Sequence, residues 1–230
     1  MFKTIKLRSG NYTINAIKDD QHITTRLLLG DEWKDWMRED VKKYYKKGTD
    51  IVDIGANIGT NTLMFSDYGP VHSFEPAFHT ILSKNIEQNT LKNPVKVYPF
   101  GISQEKKDFD FYLPKPSNGR TNYGGASINA CPSCSTKFHR IIEVDKLDDV
   151  YYGKPSIIKI DVEGHELFTL YGCAETIRIH KPAIFIEIFN YTENHEIAKF
   201  LEKFGYAKPE VRPDSNYVFV NYRNEYHFSK

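Results

Sequence analysis

Ile51-Val52-Asp53-Ile54-Gly55-Ala56-Asn57-Ile58-Gly59-Thr60 is the stretch that decides how this chain folds. An apolar run carrying one acid leads into two glycines spaced four apart. The run predicts a buried strand, the glycines a tight turn, and Thr60–Tyr68 the opening of a helix. Strand, glycine turn and helix form the first unit of a nucleotide-binding α/β sheet. Glycine suits such a turn because a ligand must approach bare backbone, and amides at the helix start point into the same space. Gly55, Ala56, Asn57, Gly59 and Thr60 are therefore candidate ligand contacts.

Val71-His72-Ser73-Phe74-Glu75-Pro76 reads as the next strand, ended by an acid and stopped by proline. Glu75 follows Gly55 by 20 residues, close to the ~20-residue spacing at which an acid meets ribose hydroxyls. Glu75 and Pro76 join the candidate set. The dinucleotide fingerprint is G-x-G-x-x-G, but here Asn57 and Thr60 replace its second and third glycines. Close approach to a pyrophosphate is thereby disfavoured. Asp53 would repel a diphosphate, yet it suits a cationic amino group. A ligand with an adenosine end and an amino-acid end fits best, and S-adenosylmethionine is such a ligand. A dinucleotide, or a glycine turn with no ligand, remains the alternative.

The chain has 230 residues, enough for one α/β domain with a sizeable core. We expect a β-rich lead-in and helix over 1–49 and a single globular unit over 50–230. The 31 basic and 30 acidic residues nearly cancel, so no extended basic footprint for nucleic acid is evident. No apolar stretch approaches the ~20 residues of a membrane span, and Met1–Gly10 lacks a signal-peptide core. Three cysteines argue for reduced thiols and a cytoplasmic setting.

Along the chain, Thr4–Leu7, Tyr12–Ile17 and Ile23–Leu29 read as three short strands, the first two joined through Ser9-Gly10-Asn11. Asp31–Lys47 reads as a helix. Asp31 caps it, Glu32 and Asp35 fill its first turn, and Lys42, Lys43, Lys46 and Lys47 its last, with Trp33, Met37, Val41 and Tyr44 inward. Strands near 51–54, 71–75 and 95–98 alternate with helices near 60–67 and 78–89, which implies a parallel sheet. Gly101 and Ile102 follow the third strand, on the edge where such sheets bind ligands. Residues 114–136 hold nine Pro, Gly and Asn residues that rule out a long element. That loop reads as an acceptor lid carrying Arg120, Asn122, Tyr123 and Ser127. Its Cys131-Pro132-Ser133-Cys134, with His139 the nearest helper, supplies too few ligands for structural zinc. A strand over 137–144, a short helix over 145–150, a helix over 193–204 and a hairpin near 206–212 and 216–222 complete the chain.

A second cluster lies in Lys159-Ile160-Asp161-Val162-Glu163-Gly164-His165-Glu166, where a strand ends at Asp161 and a helix begins near Glu163. The next strand carries Glu187 near its end, with Asn190 beyond. Crowded carboxylates repel, so one of Asp161, Glu163 and Glu187 is expected to have a raised pKa suited to proton abstraction. Asp161 or Glu163 would accept a proton with help from His165, Glu187 would bind the acceptor, and Lys159 would hold one carboxylate ionised. The alternative is an ion-pair network of Lys159, Glu163 and Glu166 that caps the helix. Mg2+ on Asp161, Glu187 and Asn190 is a further alternative, not favoured.

Val52–Gly59, Phe74-Glu75-Pro76, Lys159–Glu166 and Ile186-Glu187 resemble, in order and spacing, the FkbM-type family of S-adenosylmethionine-dependent methyltransferases. The resemblance covers roughly residues 20–220, and its most specific part is the block from Ile160 to Glu166. Many members carry a small residue where this chain has His165. The resemblance implies a Rossmann-like, seven-stranded class I methyltransferase sheet with helices on both faces and an antiparallel last strand. It also implies O-methyl transfer to a hydroxyl of a sugar, glycan or related small molecule. A non-catalytic S-adenosylmethionine-binding module, an NAD-dependent oxidoreductase or epimerase, and an RNA methyltransferase are the competing readings.

Overall fold

The computed structural model describes residues 2–7, 12–30, 34, 36–129, 134–189 and 191–222. The Ser9-Gly10-Asn11 turn, Asp31, Glu32, Trp33, Asp35, Cys131 and Asn190 lie outside them, as do the side chains of Cys134 and His139.

Strands β1 (Phe2–Lys6) and β2 (Thr13–Ile17) pair antiparallel. Helices α1 (Ile23–Leu28) and α2 (Trp36–Tyr44) follow. Then β3 (Asp50–Ile54), α3 (Thr60–Phe65), β4 (Val71–Phe74), α4 (His79–Glu87) and β5 (Val95–Tyr98) alternate. A small sheet of β6 (Gly101–Ile102), β7 (Lys107–Pro114) and β8 (Cys134–Asp145) interrupts them. After α5 (Leu147–Val150) come β9 (Pro155–Ile160), α6 (Glu166–Gly172), α7 (Ala174–His180), β10 (Ala183–Glu187) and α8 (Tyr191–Glu202). The hairpin of β11 (Glu210–Arg212) and β12 (Asn216–Phe219) closes the fold.

The main sheet has seven strands in the order β11-β12-β10-β9-β3-β4-β5. Strands β10, β9, β3, β4 and β5 run parallel, and β12 runs antiparallel to β10. Parallel strands need both faces covered, which explains their near-continuous apolar sequences. Ile51, Ile157 and Phe185 enter the cluster that includes Met37 and Val41 of α2 and Phe65 of α3. Their neighbours Val52, Ile158 and Ile184 enter the opposite cluster, with Leu170 of α6, Ile177 of α7 and Ile197 of α8. Each such buried aliphatic side chain contributes roughly 1.5–3 kcal/mol. The class I methyltransferase sheet expected from the resemblance is the sheet observed. The N-terminal hairpin packs separately, through Ile5, Ile14 and Ala16, against Leu27, Leu63 and Ile81.

The third expected strand of the lead-in is helix α1 instead. Ile23 and Leu27 are buried one helical turn apart, and the Asp20 carboxylate accepts the Thr24 amide at 2.6 Å. Helix α2 is shorter than expected: Met37, Val41 and Tyr44 face the core, but Lys46 and Lys47 lie beyond its end. Strand β7 and helix α7 have no counterpart in the sequence reading. Phe109, Phe111 and Leu113 alternate along β7, a period-2 signal.

Candidate active site

Strand order reverses between β3 and β9, and ligands of open α/β sheets bind in the crevice beyond the carboxyl ends at such a point. A cavity of about 600 Å3 opens there. Glu187 ends β10, Asp161 follows β9, Gly55 follows β3 and Glu75 follows β4. One strand separates β4 from β9, so the Glu75 and Asp161 backbones are roughly 10 Å apart.

The Glu75 end is wired by backbone. Asn57 takes a left-handed conformation (φ 50°), which asparagine tolerates, so it replaces the missing glycine. Its amide donates to Glu75 Oε2 at 2.8 Å, and the amides of Ala77 and Phe78 donate to Oε1 at 2.8 and 2.9 Å. Burial raises the Glu75 carboxyl, and these three amides oppose that. A carboxylate has about four acceptor positions, which leaves this one room for a ligand hydroxyl. Gly55 has φ +77°, and a Cβ there would lie 1.8 Å from the Asp161 carbonyl oxygen. Its bare backbone is therefore demanded first by the neighbouring turn of the protein. Asn61 also lines the cavity; it is buried, and its Oδ1 has no hydrogen-bond partner.

The opposite end is wired by charge. Lys34 has a side chain only 2% exposed, and its ammonium lies 3.0 Å from Asp161 Oδ2. The same ammonium donates to Glu187 Oε2 and, at 3.4 Å, to Asn216 Oδ1. Burial works against the charge on Lys34, but Asp161 and Glu187 hold it protonated. Burial also works against the Asp161 carboxylate, and Lys34 and Lys159 outweigh it, keeping the group well below the usual range. Glu187 is pushed up by burial and by Asp161, against Lys34. Glu163 is pushed up to about 8, first by burial and then by Asp161, Glu187 and Glu166, with Lys34 opposing. Among the described residues no cation lies within ion-pair distance of Glu163.

Glu163 and Gly164 sit in a turn with φ of 55° and 91°. A left-handed glutamate is costly and persists only where its surroundings impose it. Glu166 does so, accepting the Gly164 amide at 3.0 Å and the Val162 amide at 3.4 Å. From above, Ser127 Oγ donates to the Glu163 carbonyl at 2.7 Å, and Asn129 Nδ2 to the Gly164 carbonyl at 2.9 Å.

Residues 53–208 match the model of the methyltransferase FkbM domain. The chain belongs to the FkbM methyltransferase family. It is 26% identical over 181 residues to hexuronic acid methyltransferase AglP of Haloferax volcanii, covering 75% of this chain and 70% of that one. Methyltransferase FkbM from Methylobacillus flagellatus KT aligns with TM-score 0.52 and 18% identity, over 75% of this chain. The chain spans 43% of that protein's length. A putative rRNA methylase from Clostridium thermocellum aligns with TM-score 0.51 and 11% identity, over 80% of this chain and 91% of that one. These two structures share the fold.

For an FkbM methyltransferase, the sequence-predicted residues fall into three groups. Gly55, Ala56, Asn57, Thr60, Glu75, Pro76, Gly101 and Ile102 line the cavity, as do Lys159, Asp161, Glu163, His165 and Glu187. Asp53 and Gly59 do not. The pairing of Asp53 with a ligand's amino group is corrected: its carboxylate is fully buried behind the wall. There it accepts from Thr62 Oγ1 at 2.6 Å and pairs with Lys159 at 3.1 Å. Gly59 shapes the turn, where a Cβ would lie 2.6 Å from Leu82.

Lys159 stands where it was expected to hold a carboxylate ionised: it donates to the Gly55 carbonyl at 2.7 Å, lies 3.8 Å from Asp161 Oδ2 and helps keep that group ionised. Two roles change. His165 stacks on Phe168, its Nε2 lies 2.9 Å from Ser103 Oγ, and burial lowers its pKa to about 4. It is neutral near pH 7 and a weak base. Asp161, held ionised by two lysines, is also a weak base. The alternative network of Lys159, Glu163 and Glu166 is not formed among the described residues; Glu166 binds turn amides, and Lys159 pairs with aspartates.

Asn122, Tyr123 and Ser127 of the long loop line the cavity, whereas Arg120 points toward Thr25 Oγ1 at 3.4 Å. Lys34 and Asn61 are functional candidates that the sequence reading missed. Lys34 also bears on the Mg2+ alternative, because its ammonium already sits against both Asp161 and Glu187. Among the described residues no group of three or more His, Cys, Asp or Glu side chains is arranged to hold a metal ion. Among them, too, no helix is long and apolar enough to cross a membrane.

Proposed function

We propose that this protein transfers a methyl group from S-adenosylmethionine to a hydroxyl oxygen of a sugar acid or of a glycan that carries one. The observation that carries this reading is a single cavity joining a buried, amide-held Glu75 to an acidic cluster around Glu163. Glu75 would hold ribose hydroxyls, and the orphaned Asn61 Oδ1 suits the cationic amino group of the donor. Bound S-adenosylmethionine supplies an electrophilic methyl on a sulfonium. A sugar hydroxyl is a weak nucleophile and needs a base.

Glu163 is that base: it lines the cavity, has no cation within ion-pair distance among the described residues and has a pKa near the working range. It accepts the hydroxyl proton as the oxygen's electron pair forms the new carbon–oxygen bond, while the carbon–sulfur pair departs with sulfur. Glu187 accepts a second acceptor hydroxyl. The loop carrying Asn122, Tyr123 and Ser127 covers the acceptor and excludes water.

The acidic cluster favours a neutral hydroxyl over a carboxylate at the reacting position, because like charges repel there. The name of the Haloferax relative supports a uronic-acid acceptor, and the near-neutral charge of this chain favours sugar over RNA. Buried, free Cys173 supports a reducing, cytoplasmic setting. Labelled donor incubated with a panel of uronate-bearing and uronate-free glycans tests the reading by mass spectrometry. Label in a uronate-bearing sugar supports it, and label in RNA alone overturns it.

A further inference from the structure

Lys34 precedes the residues that match the family model, which begin at Asp53. Its backbone is left-handed (φ 58°), a conformation lysine rarely adopts. An ammonium has three donors, and among the described residues three oxygens meet this one: Asp161 Oδ2, Glu187 Oε2 and Asn216 Oδ1. Those partners belong to the ends of β9 and β10 and the start of β12. With its donors saturated, Lys34 is built to arrange carboxylates rather than to grasp a ligand.

We propose that Lys34 is a positioning residue for methyl transfer, pinning Asp161 and Glu187 to one ammonium and leaving Glu163 as the carboxylate free to take the acceptor's proton. The proposal rests on the reading of Glu163 as base. Around Glu163 the charged groups are Asp161, Glu187 and Glu166, which favour its protonated form, and Lys34, which opposes them. Lys159 acts at one remove, on Asp161. His165 is neutral near pH 7. Loss of Lys34 therefore moves both Glu163 and Glu187 toward protonation.

The test is a carboxyl-13C NMR titration of the unliganded, glutamate-labelled protein, for wild type, Lys34→Met and Lys34→Arg. It is paired with kcat and KM against pH on the glycan identified above, and with calorimetry of S-adenosylhomocysteine. In Lys34→Met the Glu163 and Glu187 titrations should move up by about one pH unit or more. The acidic limb of kcat should follow them, and kcat at pH 7 should fall at least about tenfold. S-adenosylhomocysteine affinity should stay within about twofold, and Lys34→Arg should recover part of the rate and the limb.

Titrations unchanged in Lys34→Met overturn the proposal. So does a loss of S-adenosylhomocysteine affinity with kcat intact, which would make Lys34 a donor-binding group. If Lys34→Met does not fold, Lys34→Met/Glu187→Gln removes one buried charge of each sign. Its Glu163 titration should return close to that of wild type while kcat stays reduced, and full wild-type kcat would overturn the proposal. Glu163→Gln separates the two readings. Turnover that survives it sinks the base assignment itself, whereas turnover lost there but unaltered in Lys34→Met sinks only the role of Lys34.

Discussion

At one end of the cavity a single carboxylate, Glu75, is held by the amides of Asn57, Ala77 and Phe78. At the other, Asp161, Glu163 and Glu187 crowd together around a lysine that is 127 and 153 residues from its two acidic partners. Backbone amides are neutral and fixed by the chain's local course, so the donors at the first end do not change with pH. The second end buries and crowds its carboxylates, and burial first, then repulsion, gives Glu163 enough basicity for proton transfer. Binding and chemistry are thus divided between a local construction and a long-range one, and Gly55 joins them where the β3 turn meets Asp161.

The comparison breaks most severely at Glu163. Glu163→Gln should lower kcat by about 10²–10⁴-fold, with S-adenosylhomocysteine affinity unchanged by calorimetry. Next, Gly55→Ala strikes both ends, because its new Cβ meets a backbone oxygen at positive φ. It should destabilise the fold by about 2–4 kcal/mol in chemical denaturation. Glu75→Gln should weaken S-adenosylhomocysteine binding about tenfold or more, since hydrogen bonds to a charged group are worth about 1.5–3 kcal/mol. In that variant kcat at saturating donor should change much less than in Glu163→Gln.

A smaller effect sharpens the contrast in stability. The Glu163 carboxyl is raised from 4.5 to about 8 in the folded state. Its contribution to stability is therefore fully present below pH 4.5 and lost as pH rises through 8. Glu163→Gln should be more stable than wild type by about 1–3 kcal/mol at pH 9, with no gain at pH 4. Equal stability of the two proteins at both pH values would contradict the charge-wired description.

The same division explains what could be read in the sequence. The Gly55 turn, its strand and Glu75 are legible because strand, turn, helix and acid follow one another along the chain. The carboxylates of the second cluster are also legible, since each ends or follows a strand. That one of them is raised is legible too, but which one is not, because that depends on Lys34, which in sequence is one lysine in a polar helix start. Asp53 misled for a related reason. Its place just before the turn suggests exposure to a ligand, yet its partners Lys159 and Thr62 close over it from β9 and α3. In α1, apolar alternation concealed the Ile23–Leu27 spacing that buries one helix face.

The most direct test of the account is the chemical nature of the product. A trideuteromethyl donor is incubated with the protein and a glucuronate-bearing oligosaccharide, and the product is weighed by mass spectrometry before and after mild alkaline hydrolysis. The account predicts one labelled methyl that survives alkali, as an ether on a sugar hydroxyl does. A labelled methyl released by alkali would be a carboxyl ester, which needs no base and would contradict the role given to Glu163.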